Sequence, residues 1–167
     1  MKQGWDRVNR DQPLELHTET VIPEYLDYNE HMNVAFYVLV FDHGTDEFFD
    51  FVGLDRNYRA VNQRTTFALE AHTTYIRELR LGAPVAISTQ LLDFDHKRVH
   101  FFHRMFHADE EYLAATQEII SMHIDTTVRR STAIPDDIQL GLRDLLARHQ
   151  RLEIPPQVGR VIGIRRD

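Results

Sequence analysis

The hydrophobic and polar positions divide the chain into an early strand, a long apolar helix and a later block of strands. Residues 14–22 mix alternation with β-branched side chains and stop at Pro23, which predicts a strand followed by a loop. Apolar residues surround the first half of segment 34–52, and Gly53 follows as a stop signal, so a helix is expected there. Because a helix that is apolar almost all round must be buried, we expect it in the middle of the protein.

The second half of the chain has the pattern of strands. Four segments are rich in Val, Ile, Thr, Phe and Tyr and are separated by turn-like sequences: 66–78, 83–94, 98–108 and 112–125. Hairpin connections between consecutive strands would make them a meander. A second helical pattern covers 135–150, with Pro135 suited to the first helical position. This order of elements predicts an α+β fold in which one antiparallel sheet wraps round one helix.

Length and composition indicate a single folded domain. The chain has 167 residues, of which 43% are hydrophobic and 27% charged, as in ordinary globular proteins. We expect an irregular lead-in over 1–13, the domain over 14–150 and a tail over 151–167. The polar stretch 55–64 carries no predicted element.

Charge and cysteine content narrow the function. The net charge of −7 argues against a protein that binds nucleic-acid phosphates. Without cysteine, the chain has no disulfide, thiolate metal site or cysteine nucleophile. The amino terminus has no apolar leader, and the longest apolar run, 34–41, is too short to span a membrane. We therefore expect a cytoplasmic protein without nucleic-acid or membrane partners.

The densest polar cluster, residues 24–33, directly precedes the predicted helix. A loop that leads into a helix presents free backbone N–H groups and the positive end of the helix dipole. It can therefore hold a carbonyl oxygen or oxyanion while Asp27 faces it. A purely structural interpretation is also open, in which Asn33 or Asp27 only caps the helix and His31 is a partly buried histidine.

Segment 27–37 resembles a known signature. Asp27, His31, Asn33 and Tyr37 match the Asp-x-x-Gly-His-x-Asn-x-x-x-Tyr signature of hotdog-fold acyl-CoA thioesterases of the 4-hydroxybenzoyl-CoA thioesterase-like family. This resemblance implies a hotdog fold, a curved antiparallel sheet wrapped round one long central helix. It also implies hydrolysis of a small acyl-CoA to free acid and CoA.

The likeness runs from about residue 14 to 137, through Leu69-Glu70-Ala71-His72, Gly82 and later segments. The Glu-Tyr-Leu-Asp-Tyr-Asn and Leu-Glu-Ala-His variants look most like the betainyl-CoA thioesterase branch, which is associated with carnitine breakdown. Betainyl-CoA is therefore the best substrate candidate, and an aromatic substrate such as hydroxybenzoyl-CoA is the alternative.

The resemblance also implies roles for the residues of the loop. Asp27 would be the catalytic carboxylate, which either attacks the thioester carbonyl or activates a water molecule. Asn33 and His31 would orient the site. Backbone N–H groups near Val34 and Ala35 would polarise the thioester oxygen.

Assembly and cofactors are implied in the same way. Glu70 and His72 lie two residues apart, so on a strand they point to one face, towards the acyl group from across a subunit interface. The family pairs two subunits edge to edge, which implies a homodimer or a dimer of dimers. Coenzyme A enters as part of the substrate, and neither another cofactor nor a metal is implied.

The chain departs from the signature at two positions. Glu30 stands where family members usually carry Gly, so either the backbone differs or a carboxylate enters the rim of the site. Val34 replaces a second common Asn. An acidic, tyrosine-rich site would suit a cationic trimethylammonium acyl group; its members would be Glu30, Glu70, Tyr25, Tyr28 and Tyr75. The alternative is that these tyrosines pack in the core or the interface.

Other polar clusters are less specific. His100, His103 and His107 lie on a predicted strand, where His100 points away from the other two, so zinc is not expected there. Four cations are candidates for gripping the CoA phosphates, or else are surface charge: Lys97, Arg98, Arg129 and Arg130. Two rival functions share the fold, a non-catalytic acyl-CoA binding protein and a hotdog hydratase or dehydratase.

Overall fold

A computed structural model describes residues 8–164, which form one sheet and three α-helices. The strands are β1 Leu14–Thr20, β2 Arg64–Tyr75, β3 Pro84–Phe94, β4 Arg98–His107, β5 Leu113–Asp125 and β6 Arg130–Ser131. The helices are α1 Val34–Val52, α2 Arg56–Asn62 and α3 Asp136–His149, and a 3-10 turn spans Pro23–Tyr25. The predicted lead-in lies partly outside the described residues.

The sheet has the strand order β1-β3-β4-β5-β2, with β6 beside β5 and every pair antiparallel. The predicted single sheet round one helix is confirmed. The predicted four-strand meander is wrong, because only β3, β4 and β5 follow one another. The connection over residues 76–83 is too long for a tight hairpin and carries the chain across the sheet, so β2 pairs with β5. Strands β1 and β2 are therefore the edges.

Helix α1 begins and ends as the sequence predicts. Asn33 caps its start, where the Asn33 side-chain oxygen accepts the N–H of Ala35 at 3.0 Å. Gly53 ends it in the left-handed conformation, with φ at 98°. Midway, Gly44 lets the helix approach β3, because a Cβ at this position would lie 2.8 Å from Ile87 Cγ2.

The prediction that α1 is buried all round is wrong for its first half. Its inner face packs on the sheet through Tyr37, Phe41 and Phe48, which are almost fully buried. Because the sheet covers only one side of the helix, an apolar stripe on the other side is exposed: Val34 (59% exposed), Val38 (44%) and Leu39 (38%). The edge strand β2 and the residue that follows it also expose apolar side chains: Phe67, Leu69, Tyr75 and Ile76.

The remaining helices contact the sheet, α2 at β2 and α3 at β3. The segment 55–64, which carried no predicted element, contains the short helix α2, capped by the Asp55 side chain. Pro135 is the N-cap of α3 rather than its first helical residue. Beyond α3 the chain has no regular element as far as residue 164, yet it is anchored where Gly159 N–H donates to Glu118 Oε2 at 2.7 Å. None of the described helices is long and apolar enough to cross a membrane.

Candidate active site

The loop before α1 is closed on itself and presents Asp27 directly in front of the helix. An isolated β-bridge between Leu26 and Met32 forms its base. Inside it, Asp27 N–H donates to the His31 carbonyl at 2.9 Å, and Glu30 N–H donates to the Asp27 carbonyl at 3.1 Å. Met32 is buried in the core, so the loop is anchored from below. The loop is therefore a fixed platform for the Asp27 side chain.

One oxygen of the Asp27 carboxylate is held in place. Its Oδ1 accepts the N–H of Asn29 at 2.8 Å. The second oxygen makes no hydrogen bond to any residue between 8 and 164, and the residue is partly exposed. A carboxylate that is oriented through one oxygen and open at the other is suited to act on a substrate.

The backbone N–H groups at the start of α1 are not all hydrogen-bonded within residues 8–164. Asn33 N–H donates to the Tyr25 carbonyl at 2.9 Å, which fixes the cap. The Ala35 N–H donates to the Asn33 side-chain oxygen. The sequence predicts this N–H as a donor to the thioester oxygen, but in the structure it is already bonded. The Val34 N–H has no hydrogen-bond acceptor within the described part of the chain. It is therefore the donor at the positive end of the helix that is available to an oxyanion.

Glu30 keeps the conformation that glycine favours. Its φ is 61°, in the left-handed region, which costs a residue with a Cβ roughly 1 kcal/mol. The loop geometry expected with Gly is thus retained by Glu30. The exposed Glu30 side chain adds a carboxylate to the rim of a cavity beside the loop.

His31 attaches the loop to the chain that follows β2. Its Nε2 lies 3.3 Å from Glu78 Oε1, and its backbone forms a β-bridge with Arg80. Met32 N–H also donates to the Leu79 carbonyl at 2.8 Å. The hydrogen bond from Arg80 is the largest effect that lowers the pKa of Glu78, so this carboxylate stays ionised beside His31.

One open cavity borders the loop, and a second adjoins it. One, of about 570 Å³, is lined by Leu26, Asn29, Glu30, His31, Arg80 and Leu81. The other, of about 580 Å³, shares Arg80 and Leu81 and is also lined by Arg77 and Tyr112. The Arg77 guanidinium lies 3.8 Å from the centre of the Tyr112 ring. Arg80 and Leu81 line both cavities, so the two adjoin, and together they are called the groove.

Sequence reasoning missed Arg77, Glu78 and Arg80 as site residues. Arg77 and Glu78 fall at the end of the predicted strand 66–78, although β2 ends at Tyr75, and Arg80 follows that segment; none belongs to a motif of its own. Only the path of the 76–83 connection brings them to the Asp27 loop, and the pattern along the chain does not specify that path.

Glu70 and His72 lie on one face of β2, opposite Ile120 and Glu118 of β5. That face points away from α1, because Tyr75 lies on the other face with its ring 5.3 Å from that of Tyr37. Glu70 is exposed and lies five residues before Tyr75, or about 17 Å along the strand. Glu70 therefore does not reach the Asp27 loop of its own chain.

The tyrosines proposed for the site have different surroundings. Tyr28 is 94% exposed on the loop, and Tyr75 is 48% exposed at the end of β2. Tyr25 instead belongs to the core, where it stacks on Phe36 and its hydroxyl donates to Glu19. That hydrogen bond is the main reason that the Tyr25 pKa rises to about 12.

The four cations proposed for the CoA phosphates lie at the end of the sheet opposite Asp27. Lys97 lies in the β3–β4 turn and Arg98 begins β4, whereas Arg129 follows β5 and Arg130 begins β6. Two nitrogens of Arg98 bond Asp95 Oδ2 at 2.8 and 2.6 Å.

The three histidines of β4 do not converge. His100 Nε2 lies 2.8 Å from Glu118 Oε1, on the sheet face that points away from α1. His103 is fully buried between Thr45 and Thr89, and burial lowers its pKa to about 3. His107 lies beside Tyr112 at the far end of the strand.

Comparison with known proteins gives a consistent result. Residues 21–142 match the family model of the thioesterase-like superfamily. A betainyl-CoA thioesterase of Pseudomonas aeruginosa PAO1 is 35% identical over 92% of this chain and 96% of its own length. An L-carnitine dehydrogenase/betainyl-CoA thioesterase of Agrobacterium fabrum is 33% identical over 86% of this chain, which corresponds to 29% of that longer protein.

A solved structure agrees with these relatives. A hypothetical protein from Staphylococcus aureus, characterised in complex with CoA, superimposes with a TM-score of 0.85 at 32% identity. The superposition covers 92% of this chain and 97% of that one.

Proposed function

This chain belongs to the thioesterase-like superfamily and is an acyl-CoA thioester hydrolase of hotdog fold, and we propose that its preferred substrate is a short acyl-CoA with a cationic acyl group, betainyl-CoA in the first place. The observation that carries the proposal is the loop before α1. It places a carboxylate with one free oxygen beside a helix start that offers an unused N–H group.

Asp27 is the residue that reacts. Its unbonded oxygen either attacks the thioester carbonyl carbon or removes a proton from a water molecule that attacks it. Both routes require an ionised carboxylate near the carbonyl carbon. Asn29 N–H keeps Oδ1 in place, so the carboxylate does not need to be reoriented when the substrate arrives.

The backbone N–H of Val34 supplies partial positive charge for the thioester oxygen. As the carbonyl carbon becomes tetrahedral, negative charge develops on its oxygen, and the free Val34 N–H together with the α1 dipole stabilises it. Collapse of this intermediate breaks the carbon–sulfur bond and releases CoA as a thiolate. If Asp27 is the nucleophile, a water molecule then hydrolyses the mixed anhydride that remains.

Negative charge on this protein, as well as the relatives, supports a preference for a cationic acyl group. Glu30 lies on the rim of the cavity beside the loop, and the chain carries a net charge of −7. A quaternary ammonium group donates no hydrogen bond, so carboxylates and aromatic faces are the groups that recognise it. Tyr28 is the exposed aromatic residue on the loop.

The complete site is proposed to form in a homodimer, or in a dimer of dimers. The apolar stripe of α1 and the apolar side chains of β2 lie uncovered in the single chain, and β2 is an open edge. Antiparallel pairing of β2 with β2 of a second copy covers both. Because this pairing keeps each sheet face on its own side, Glu70 and His72 of that copy lie beside the interface on the face away from α1, and their role at the acyl group stays a prediction.

The same pairing explains how distant cations can hold CoA. Because the two β2 strands run in opposite directions, the far end of the second copy's sheet comes to lie near the Asp27 loop. Lys97, Arg98, Arg129 and Arg130 of that copy then grip the phosphates. Arg77 and Arg80 of the same chain line the groove and contribute at the pantetheine end.

The experiment that tests this function is a panel of CoA thioesters followed by release of free thiol. The panel includes betainyl-CoA, butyryl-CoA, 4-hydroxybenzoyl-CoA and an enoyl-CoA. Thiol release from betainyl-CoA at the highest kcat/KM supports the proposal. CoA binding without thiol release would make the protein a binding module, and hydration of the enoyl-CoA would make it a hydratase. The 3.3 Å contact between His31 Nε2 and Glu78 Oε1 argues against a hydratase, because it pairs His31 with Glu78 and not with Asp27.

A further inference from the structure

A cluster of two histidines and one glutamate lies between β1 and α1, outside the Asp27 loop. His17 and Glu19 are two residues apart on β1 and therefore share a face, which points towards His43 on α1. His17 Nε2 lies 3.0 Å and His43 Nδ1 lies 2.8 Å from the same oxygen, Glu19 Oε2. From this geometry we propose that His17, Glu19 and His43 form a binding site for a divalent transition metal, zinc in the first place.

The three side chains offer the ligand set that zinc takes. Two imidazole nitrogens and one carboxylate oxygen, with a water molecule in the fourth position, give a tetrahedral zinc site. The three ligand atoms lie within 4.8 Å of one another. At zinc–ligand distances of about 2.0–2.2 Å, ligand atoms are roughly 3.4 Å apart. Each histidine nitrogen therefore has to move about half an ångström from Glu19 Oε2, and the two nitrogens, at most 4.8 Å apart, have to approach each other by up to about 1.4 Å.

The surroundings hold the ligands in position. The side chains of His17, Glu19 and His43 are 17%, 19% and 38% exposed, so the cluster is sheltered but reachable from solvent. Tyr25 donates its hydroxyl to Glu19 Oε1, the oxygen that the histidines do not use. A hydrogen bond from the surroundings to a ligating carboxylate fixes its orientation and raises metal affinity.

The cluster opens onto a cavity of about 440 Å³, which has room for the water ligand. Besides His17 and His43, the cavity is lined by three carboxylates and two guanidinium groups: Asp46, Glu47, Asp50, Arg56 and Arg59. Together with Glu19 this gives an excess of negative charge, which favours a cation. Arg59 is engaged by Asp46 and Asp50, at 3.8 Å from each.

Metal binding requires each ligating nitrogen to offer its lone pair. The imidazole proton of His17 then sits on Nδ1, and that of His43 sits on Nε2. The bound ion ties β1 to α1, and through Tyr25 it stiffens the carbonyl that accepts the Asn33 N–H at the helix cap. The proposed metal therefore stabilises the structure and takes no part in the thioesterase reaction. Its binding can be tested without an activity assay.

The test measures metal binding to protein freed of metal with a chelator. Wild-type protein titrated with Zn²⁺ in a calorimeter is expected to bind one equivalent, and Co²⁺ in the same site is expected to give tetrahedral d–d absorption. His43→Ala should weaken Zn²⁺ binding by at least about 30-fold, because only two ligands remain. His17→Ala provides the same comparison if His43→Ala does not fold. Mg²⁺, which prefers oxygen ligands, should not bind.

The chain contains a matched control. His100 and Glu118 form a pair with the same 2.8 Å contact and similar exposure. Although His72 lies opposite Glu118 on β2, these side chains do not bring three ligand atoms within 4.8 Å of one another. His100→Ala should leave the Zn²⁺ affinity unchanged and should keep the rise in Tm that Zn²⁺ causes in the wild type. Absence of saturable Zn²⁺ binding, or equal affinity in the wild type and His43→Ala, would overturn the proposal. The cluster would then be a hydrogen-bond network around Glu19 alone.

Discussion

His31 and Glu78 join the Asp27 loop to the chain that leaves the edge strand, with His31 Nε2 3.3 Å from Glu78 Oε1. Glu78 comes three residues after the end of β2, the strand proposed to pair between subunits. The position of Asp27 therefore depends on the same strand that a second copy would cover. Assembly and activity are expected to be lost together.

Disruption of the β2 edge tests this link. Leu69 lies at the β-bulge of β2 and is 51% exposed, so Leu69→Lys places a charge in the proposed interface. We expect a monomer by sedimentation equilibrium at micromolar concentration, with kcat/KM lowered by at least about 10-fold. Leu140→Lys, at a 66% exposed position on α3, should change neither quantity. Wild-type protein that sediments as a monomer would contradict the assembly.

Glu70 tests the preference for a cationic acyl group. Replacement by Gln keeps the size of the side chain and removes its charge, so kcat/KM for betainyl-CoA should fall about 10-fold while that for butyryl-CoA changes less than about 2-fold. Glu30→Gln makes the same comparison on the loop. An equal loss on both substrates would assign Glu70 to catalysis or folding. Equal rates of the wild type on cationic and neutral thioesters would remove the preference altogether.

Two glycines form a matched pair for the packing of α1. In Gly44→Ala the new methyl group would lie 2.8 Å from Ile87 Cγ2, so the free energy of unfolding should fall by about 1–3 kcal/mol. Gly141 lies inside α3 with no heavy atom within 4 Å of a built Cβ, and Gly141→Ala should raise the free energy of unfolding by about 0.5–1 kcal/mol. Urea unfolding of both variants measures the difference. Equal effects would mean that α1 does not pack on β3 at this distance.

Buried His103 predicts loss of stability in acid. Burial lowers its pKa from 6.5 to about 3, so below about pH 6.5 the unfolded chain binds a proton that the folded protein does not. The free energy of unfolding should therefore fall as the pH decreases towards 3, with about 2 kcal/mol lost to His103 between pH 7 and pH 5. His103→Gln should show a smaller difference in urea unfolding between these pH values. An unchanged difference would place the acid sensitivity elsewhere, for instance at His149, whose pKa burial also lowers.

The sequence predicts the parts of the fold that local chemistry determines. Helix α1 runs over the predicted residues because Asn33 caps its start and Gly53 ends it. The three strands of the true meander are predicted to within a residue or two because turn residues separate them. Short helix α2 was missed, since its seven residues are too few for a periodic apolar face.

Partners that are distant in sequence were not predictable from the pattern. The residues of β2 and β3 do not indicate that these two strands lie apart in the sheet. Which strands pair depends on the path of the connecting chain. For the same reason the motif predicts site roles for Asp27 and Asn33, which stay predictions, and does not point to Arg77, Glu78 or Arg80, which lie in the connection 76–83. The pattern does not reveal the exposed side of α1, because an apolar face that the sheet leaves open has the same pattern as one in the core.

The most direct test of the central claim is thiol release from betainyl-CoA by wild-type protein and by Asp27→Asn. An amide oxygen still accepts the Asn29 N–H, so the loop, the far-ultraviolet spectrum and the oligomeric state should be unchanged. The amide neither attacks a carbonyl carbon nor accepts a proton, so kcat should fall by at least about 100-fold, or about 2.7 kcal/mol. A variant that keeps more than about a tenth of the wild-type kcat would show that another group carries out the reaction.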